Sequence, residues 1–279
     1  MLSTLRSKVS CTAPFVLQCM AIRTILWYQG ENNSFRGGSN PRWEAYATDF
    51  LEMIRRWREA WASNTEQSAL ADTPFGFVQI GPRDCTPDAD HQGDTPSSTF
   101  YGGVRWSQTA FQYHVPNKRM PNTFMAVAAD VAEGYSPVLN LQAGCVHFGD
   151  KQDVGQRLAL GVLKHVYGHN IVDAGPMVAS IEAAAGVDDG NEVGAFLKIR
   201  YGSATESVQV RNTSGFEVSS NGKDYVAASI TAHDTHSVTL AIPHIVRAVV
   251  SLRYILHDTP CISKTCAGTQ HYDRFPTTS

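Results

Sequence analysis

Three short, almost uninterrupted apolar runs punctuate the first half of the chain: TILWYQ (24–29), PFGFVQI (74–80) and TFMAVAAD (123–130). Runs of this length without polar alternation predict strands buried on both faces. Between them the apolar period changes. Tyr46, Phe50, Ile54, Trp57 and Trp61 recur at helical spacing. They predict a helix that starts at Asn40-Pro41, an N-cap with a first-turn proline, and runs to about Trp61. A second helix is predicted around 104–113. A third is predicted over 152–168, where Val154, Leu158, Val162 and Val166 stack. The connecting GENNSFRGGSN (30–40) is rich in Gly, Asn and Ser and reads as a loop. Strand–helix alternation of this kind predicts an α/β fold with a parallel sheet covered on both faces.

From about residue 173 the pattern is different. GAFLKIRY (194–201), ESVQVRN (206–212), GFEVSS (215–220), SVTLAIP (237–243) and AVVSLRYIL (248–256) are short β-type runs separated by turn residues, with no helical period between them. They predict a small all-β antiparallel sandwich. The expected domains are therefore 1–172, a layered α/β unit, and 173–279, the sandwich.

Composition narrows the function classes. The 279 residues are 43% hydrophobic, enough for one large core or two smaller ones. A net charge of −3 with no basic run argues against nucleic acid as a partner. No run reaches the length of a membrane span. The N-terminal residues show no clean apolar core followed by a small-residue cleavage site, so no signal peptide is read there. The six cysteines fit no zinc motif, and no metal or cofactor is expected. Cys261 and Cys266 frame a short loop as PCISKTC and are a disulfide candidate. N-x-S/T sequons at Asn32 and Asn212 weakly favour a secretory route.

Chemistry is expected at the ends of the parallel strands, where such folds place ligands. Trp27-Tyr28-Gln29-Gly30-Glu31-Asn32-Asn33 follows the first strand; its glycine allows close backbone approach, and its amides can donate to a developing oxyanion. His147, in GCVHFGDK, is placed to act as a general base, or is a surface-loop histidine. Arg105-Trp106-Ser107-Gln108 can bind an anionic group or simply cover a helix. His165 and His169, four apart near a helix end, are read as partners of the helix dipole. His233 and His236 are read as solvated. Ser39 imitates an esterase nucleophile but precedes a helix cap after the wrong strand. No G-x-S-x-G, HExxH, P-loop or dinucleotide fingerprint is present.

Taken together, these blocks resemble the sialate O-acetylesterase family of SGNH hydrolases. WYQGENN is similar to the family's WYQGE-x-N block. PFGFVQI, RWSQTA and VPNKRMPNTFMAVAAD follow in its order, and HFGDKQDVGQRLAL is similar to HP-x-DK-x-x-x-x-RLAL, with Phe148 in the proline position. FEVSS, SVTLAIP, LRY and PC-x4-C are similar to its C-terminal sandwich. The resemblance implies a partial SGNH (flavodoxin-like) three-layer domain and Ser–His hydrolysis of O-acetylated sialic acid, with a lysosomal or secreted location. His147 matches the catalytic histidine. Gln29, Gly30, Glu31 and Asn33, with Arg105 and Gln108, match the oxyanion and substrate side. The family's nucleophile lies in a G-Q-S-N block, which these 279 residues do not contain; a preceding N-terminal segment or subunit is the expected source. Gly144 and Cys145 stand where many SGNH enzymes keep a His-orienting acid, leaving Asp130 as the fallback. In a sheet ordered 2-1-3-4-5, TILWYQ would be the third strand and an apolar edge prone to association. The alternative is a non-catalytic remnant that binds glycans through the inherited pocket.

Overall fold

The structure is a computed structural model; it describes residues 22–34, 36–37, 40–65, 72–82, 100–131, 148–184, 195–202, 207–210 and 212–257. The three apolar runs form the parallel strands β1 (Ile25–Trp27), β4 (Phe75–Gln79) and β5 (Thr123–Val127). They lie side by side in the order β1-β4-β5, with Ile25 level with Phe75 and Phe75 level with Thr123. Between the first two come β2 (Arg36–Gly37), β3 (Asn40–Pro41) and the helix α1 (Arg42–Thr65). The later connections carry α2 (Phe100–Gln108) and α3 (Lys151–His165).

Strand alternation sorts the side chains between two helical covers. Ile25, Trp27, Phe75 and Phe77 point toward α1 and α2, where they cluster with Tyr46, Phe50, Ile54, Tyr101 and Val104. The other face carries Gly76, Val78, Phe124 and Ala126. Val78 packs with Val154 of α3 and with Phe148. The Phe124 ring occupies space that a Cβ at Gly76 or at Gly161 of α3 would need. Glycine at these two positions lets α3 seat directly on the sheet.

The helices are shifted from their predicted bounds. Asn40 and Pro41 pair with Gly37 and Arg36 in a two-residue antiparallel ladder, so α1 begins after the proline rather than at it. The second helix runs earlier than predicted, because the chain leaves it at a turn where Ala110, Phe111 and Tyr113 all take positive φ. The third begins at Lys151, where the Asp150 carboxylate accepts from the Asp153 amide as an N-cap.

The remaining strands are antiparallel: β6 (Val178–Ala184), β7 (Ala195–Tyr201), β8 (Phe216–Ser219), β9 (Val226–Ala228), β10 (Ile230–Asp234), β11 (Ser237–Ile242) and β12 (Ser251–Tyr254). They form two sheets, β10-β11-β7-β6 and β12-β8-β9. Ile199 and Leu240 from the first sheet meet Phe216 and Val218 from the second in one buried cluster. The architecture is thus mixed α/β, a three-stranded parallel sheet joined to antiparallel sheets. The described part of ESVQVRN is not a strand, although the Val208 amide donates to Thr235 O.

Candidate active site

The chain leaves β1 through Tyr28, Gln29 and Gly30, then makes one 3-10 turn over Glu31–Ser34. Gly30 has φ +149° and is buried. A Cβ there would come within 2.9 Å of Val104 and 3.1 Å of Ile80, so the position needs glycine for both its dihedral and its space. The turn closes through Asn33 N–H to Gly30 O at 2.9 Å, and Gln29 Nε2 donates to Asn33 Oδ1 at 2.7 Å. Four of the residues singled out from the sequence, Gln29, Gly30, Glu31 and Asn33, therefore share one small turn beyond a strand end.

Gln108, fully buried on α2, fixes this turn to the next strand. Its Nε2 donates to Val78 O at 2.9 Å and to Gln29 O at 3.3 Å, while its Oε1 accepts from Ile80 N at 3.0 Å. Tyr46 of α1 adds its hydroxyl to Gln29 O at 3.0 Å. Burial pushes that phenol up to about 12, with side-chain hydrogen bonds to Trp27 and Gln108 opposing and the Glu31 charge adding to the rise. Tyr28 is pushed up further, by burial first and then by Glu31 and Tyr101.

Arg105 is buried one turn before Gln108. Its guanidinium donates to Gly81 O at 3.1 Å, to Ile80 O at 3.4 Å and to His257 O. It thus joins the exit of β4 to the segment after β12. Gly102 meets that segment from the same helix, where the Leu256 carbonyl fills the place of a Cβ. His257 in turn bonds Glu217 of β8 at 3.2 Å, and Glu217 is held in two places by Arg253. A continuous polar chain therefore runs from the antiparallel sheets to the strand ends.

The start of α3 lies at the same end of the sheet. Phe148 is buried against Gly81. The Lys151 ammonium lies 3.4 Å from the Phe148 ring centroid and 5.1 Å from that of Tyr28, a cation–π arrangement. His147, the chain neighbour of Phe148, lies outside the described residues, as do Gly144, Cys145, Ser39, Cys261 and Cys266. Asp130, the fallback acid, is buried, and both its oxygens are engaged by Arg157 of α3, at 2.6 and 2.8 Å. Arg157 also donates to Val127 O at 2.5 Å.

Arg157 and Lys151 were not singled out as site residues from the sequence. The available signal for Arg157 was an acid at a strand end followed by an arginine on the next helix. His165 is not simply a partner of the helix dipole: its Nε2 lies 2.6 Å from Asp173 Oδ2, and its ring stacks on Phe124 at 5.3 Å. Lys164 holds the other Asp173 oxygen at 2.6 Å. Among the described residues no cluster suited to a metal ion is found, and no helix is long and apolar enough to cross a membrane.

The same fold occurs in a carbohydrate acetylesterase from Xanthomonas citri, with a TM-score of 0.64 and 23% identity, over 90% of this chain and 48% of that one. Residues 190–279 match the model of the sialate O-acetylesterase C-terminal domain. The mouse sialate O-acetylesterase is 31% identical over 90% of this chain and 42% of its own length. The human one is 33% identical over 88% of this chain and 43% of its own. These relatives are esterases by name. By sequence the chain belongs to the sialate O-acetylesterase family. It spans about two-fifths of the length of the curated relatives it matches.

Proposed function

We propose that this chain carries the general base and the substrate side of a sialate O-acetylesterase, a carboxylic ester hydrolase that removes O-acetyl groups from sialic acids. The observation that carries this reading is the Gln29–Asn33 turn, anchored by Gln108 and Tyr46 where β1 and β4 end, with Phe148 closing the same end of the sheet. That arrangement fixes the backbone of the turn and brings the residue next to His147 to the strand ends. His147 would take the proton of a serine hydroxyl as it attacks the acetyl carbonyl, then return it to the departing sugar oxygen. Water would release the acetyl group in the reverse sense. The amides of the turn would serve the oxyanion and the substrate. The hydrogen bonds of Arg105 and Gln108 to main-chain carbonyls and amides favour a positioning role for both. No cofactor or metal is required.

The serine belongs to a G-Q-S-N block on a preceding segment or subunit. In the SGNH arrangement that segment would also pair with β1, which is an edge strand among the described residues and leaves Leu26 48% exposed. The division near residue 172 would then separate the catalytic unit from a sandwich domain, each with its own apolar cluster. Passage to a lysosomal or secreted destination is part of the same proposal.

Acetate release from O-acetylated sialic acid tests it. The 279-residue chain alone should give none. Adding a family segment that bears G-Q-S-N should produce turnover that His147→Ala abolishes. Turnover by the chain alone would return attention to Ser39. Sialoglycan binding that persists without turnover in the reconstituted protein would favour the non-catalytic reading instead.

A further inference from the structure

We infer that Asn212, on the loop that leads into β8, is an acceptor for an N-linked glycan. The inference depends on the chain entering a secretory compartment, not on its being an esterase. Asn212-Thr213-Ser214 is a complete sequon, followed by glycine rather than proline, and all three of its residues are exposed. The triplet is already turned on itself: Asn212 Oδ1 accepts from the Ser214 amide at 3.1 Å and from the Ser214 hydroxyl at 3.2 Å. The sequon hydroxyl is thus held beside the side-chain amide it must assist. Beside the turn lies a shallow concavity of about 200 Å³ lined by Val210, Ile230, Thr231 and His233. Asn212 and Thr213 line it as well.

The sequon at Asn32 is built differently. Its Ser34 is buried, and the hydroxyl donates to Glu31 O at 2.5 Å inside the 3-10 turn. That hydroxyl is committed to the turn of the candidate active site, whereas the Ser214 hydroxyl, among the described residues, bonds only within its own sequon.

The modification balances without a redox partner. The Asn212 amide nitrogen attacks the anomeric carbon of a lipid-pyrophosphate-linked oligosaccharide. The carbon–nitrogen bond forms, the carbon–oxygen bond to pyrophosphate breaks, and the lipid pyrophosphate leaves with the electron pair. One amide proton passes to a base of the transferring enzyme.

The test is to direct the 279-residue chain into the secretory compartment of a eukaryotic cell with a cleavable signal sequence, and to collect secreted protein. Forced entry separates failure of the acceptor from failure of the chain to reach the compartment by itself. The expected result is a mobility shift that peptide N-glycosidase removes. It should be absent in Asn212→Gln and in Ser214→Ala, and retained in Ser214→Thr. Secreted wild-type protein with no glycosidase-sensitive shift would overturn the inference. So would an unchanged shift in Asn212→Gln.

Discussion

The parallel and antiparallel regions handle buried polar groups in opposite ways. Around the parallel sheet, long polar side chains turn inward and hold the main chain. Arg58 donates to the carbonyls of Thr73, Pro121 and Asn122. Arg105, Gln108 and Arg157 do the same at the other end of the strands. In the antiparallel sheets, ion pairs such as Glu182 with Arg200 sit on the outside, and neighbouring strands satisfy the main chain. The physical reason is the depth of cover. Short parallel strands under helices on both faces leave carbonyls at their ends that water cannot reach, and a buried unpaired carbonyl costs about 1–3 kcal/mol. Polar side chains at the carboxyl end of such a sheet are therefore structural members first. The difference can be measured separately in each region, because all five tryptophans (Trp27, Trp43, Trp57, Trp61 and Trp106) lie in the parallel part. Their fluorescence follows that region alone.

The largest expected effect is on the Asp130–Arg157 pair. Both side chains are nine-tenths buried or more, at 5% and 7% exposure. Arg157→Met leaves the carboxylate without its counter-charge and should destabilise the parallel region by about 3–5 kcal/mol, seen as an earlier tryptophan transition in urea. Replacing both partners with apolar residues, as Asp130→Leu with Arg157→Met, should recover much of the loss. Recovery should be incomplete, because Val127 O also loses its donor. A single substitution with no shift would show that the pair is open to water.

Next in size is Gln108→Leu. The volume is nearly kept, but Ile80 N–H and Val78 O lose their partners and Gln29 O loses one of two. With two groups fully orphaned, each at the lower half of about 1–3 kcal/mol, the expected cost is about 2–4 kcal/mol. Hydrogen exchange should quicken at Ile80 while the amides of β7 and β11 stay protected. Uniform loosening of both regions would mean that they unfold as one unit and that the contrast is only in composition.

How much of this was legible follows from the same contrast. The three parallel strands could be read because both of their faces are apolar. The strand β6 could not, because nearly every residue along it is exposed and no alternation survives. The short β9 and β10 carry equally little signal, with most of β10 exposed. The turn at Gln29–Asn33 was readable because glycine and amides cluster within five residues. The partnerships of Asp130 with Arg157 and of His165 with Asp173 join residues 27 and 8 positions apart through the fold, and sequence spacing alone does not reveal them. The exit of α2 was misplaced because three non-glycine residues there adopt positive φ, which composition gives no reason to expect.

A smaller effect belongs to Glu217, the most enclosed carboxylate of the antiparallel sheets. Burial alone would raise its pKa, but hydrogen bonds from His257 and Arg253 bring it from 4.5 down to about 2. A carboxylate depressed in the folded state adds stability above its unfolded value, and that stability is lost as pH falls through the folded one. The wild type should therefore loosen between about pH 4.5 and 2. Glu217→Gln should flatten that part of the profile and leave the neutral range with a constant deficit. Hydrogen exchange at β8 and β12 reads the change. A slope unchanged by the substitution would place the acid sensitivity elsewhere.

The smallest expected effect concerns Glu182 and Arg200. The guanidinium Nε lies 2.8 Å from the carboxylate, as close as in the buried pairs, and the Glu182 pKa is lowered, by Arg200 first and then by Ser180. Proximity is not what separates it from Asp130–Arg157. Its side chains are 47% and 49% exposed, so water and salt screen the attraction in the folded state and solvate either group left alone. Removing the charge by Glu182→Gln exposes no new apolar surface and orphans no main-chain group, and the pairing of β6 with β7 persists through its own ladder. The thermal midpoint should stay within measurement error at physiological salt, with any difference confined to low ionic strength. A shift comparable to that of Arg157→Met would mean that this face is covered in solution, and the distinction drawn between the two regions would then rest on topology alone.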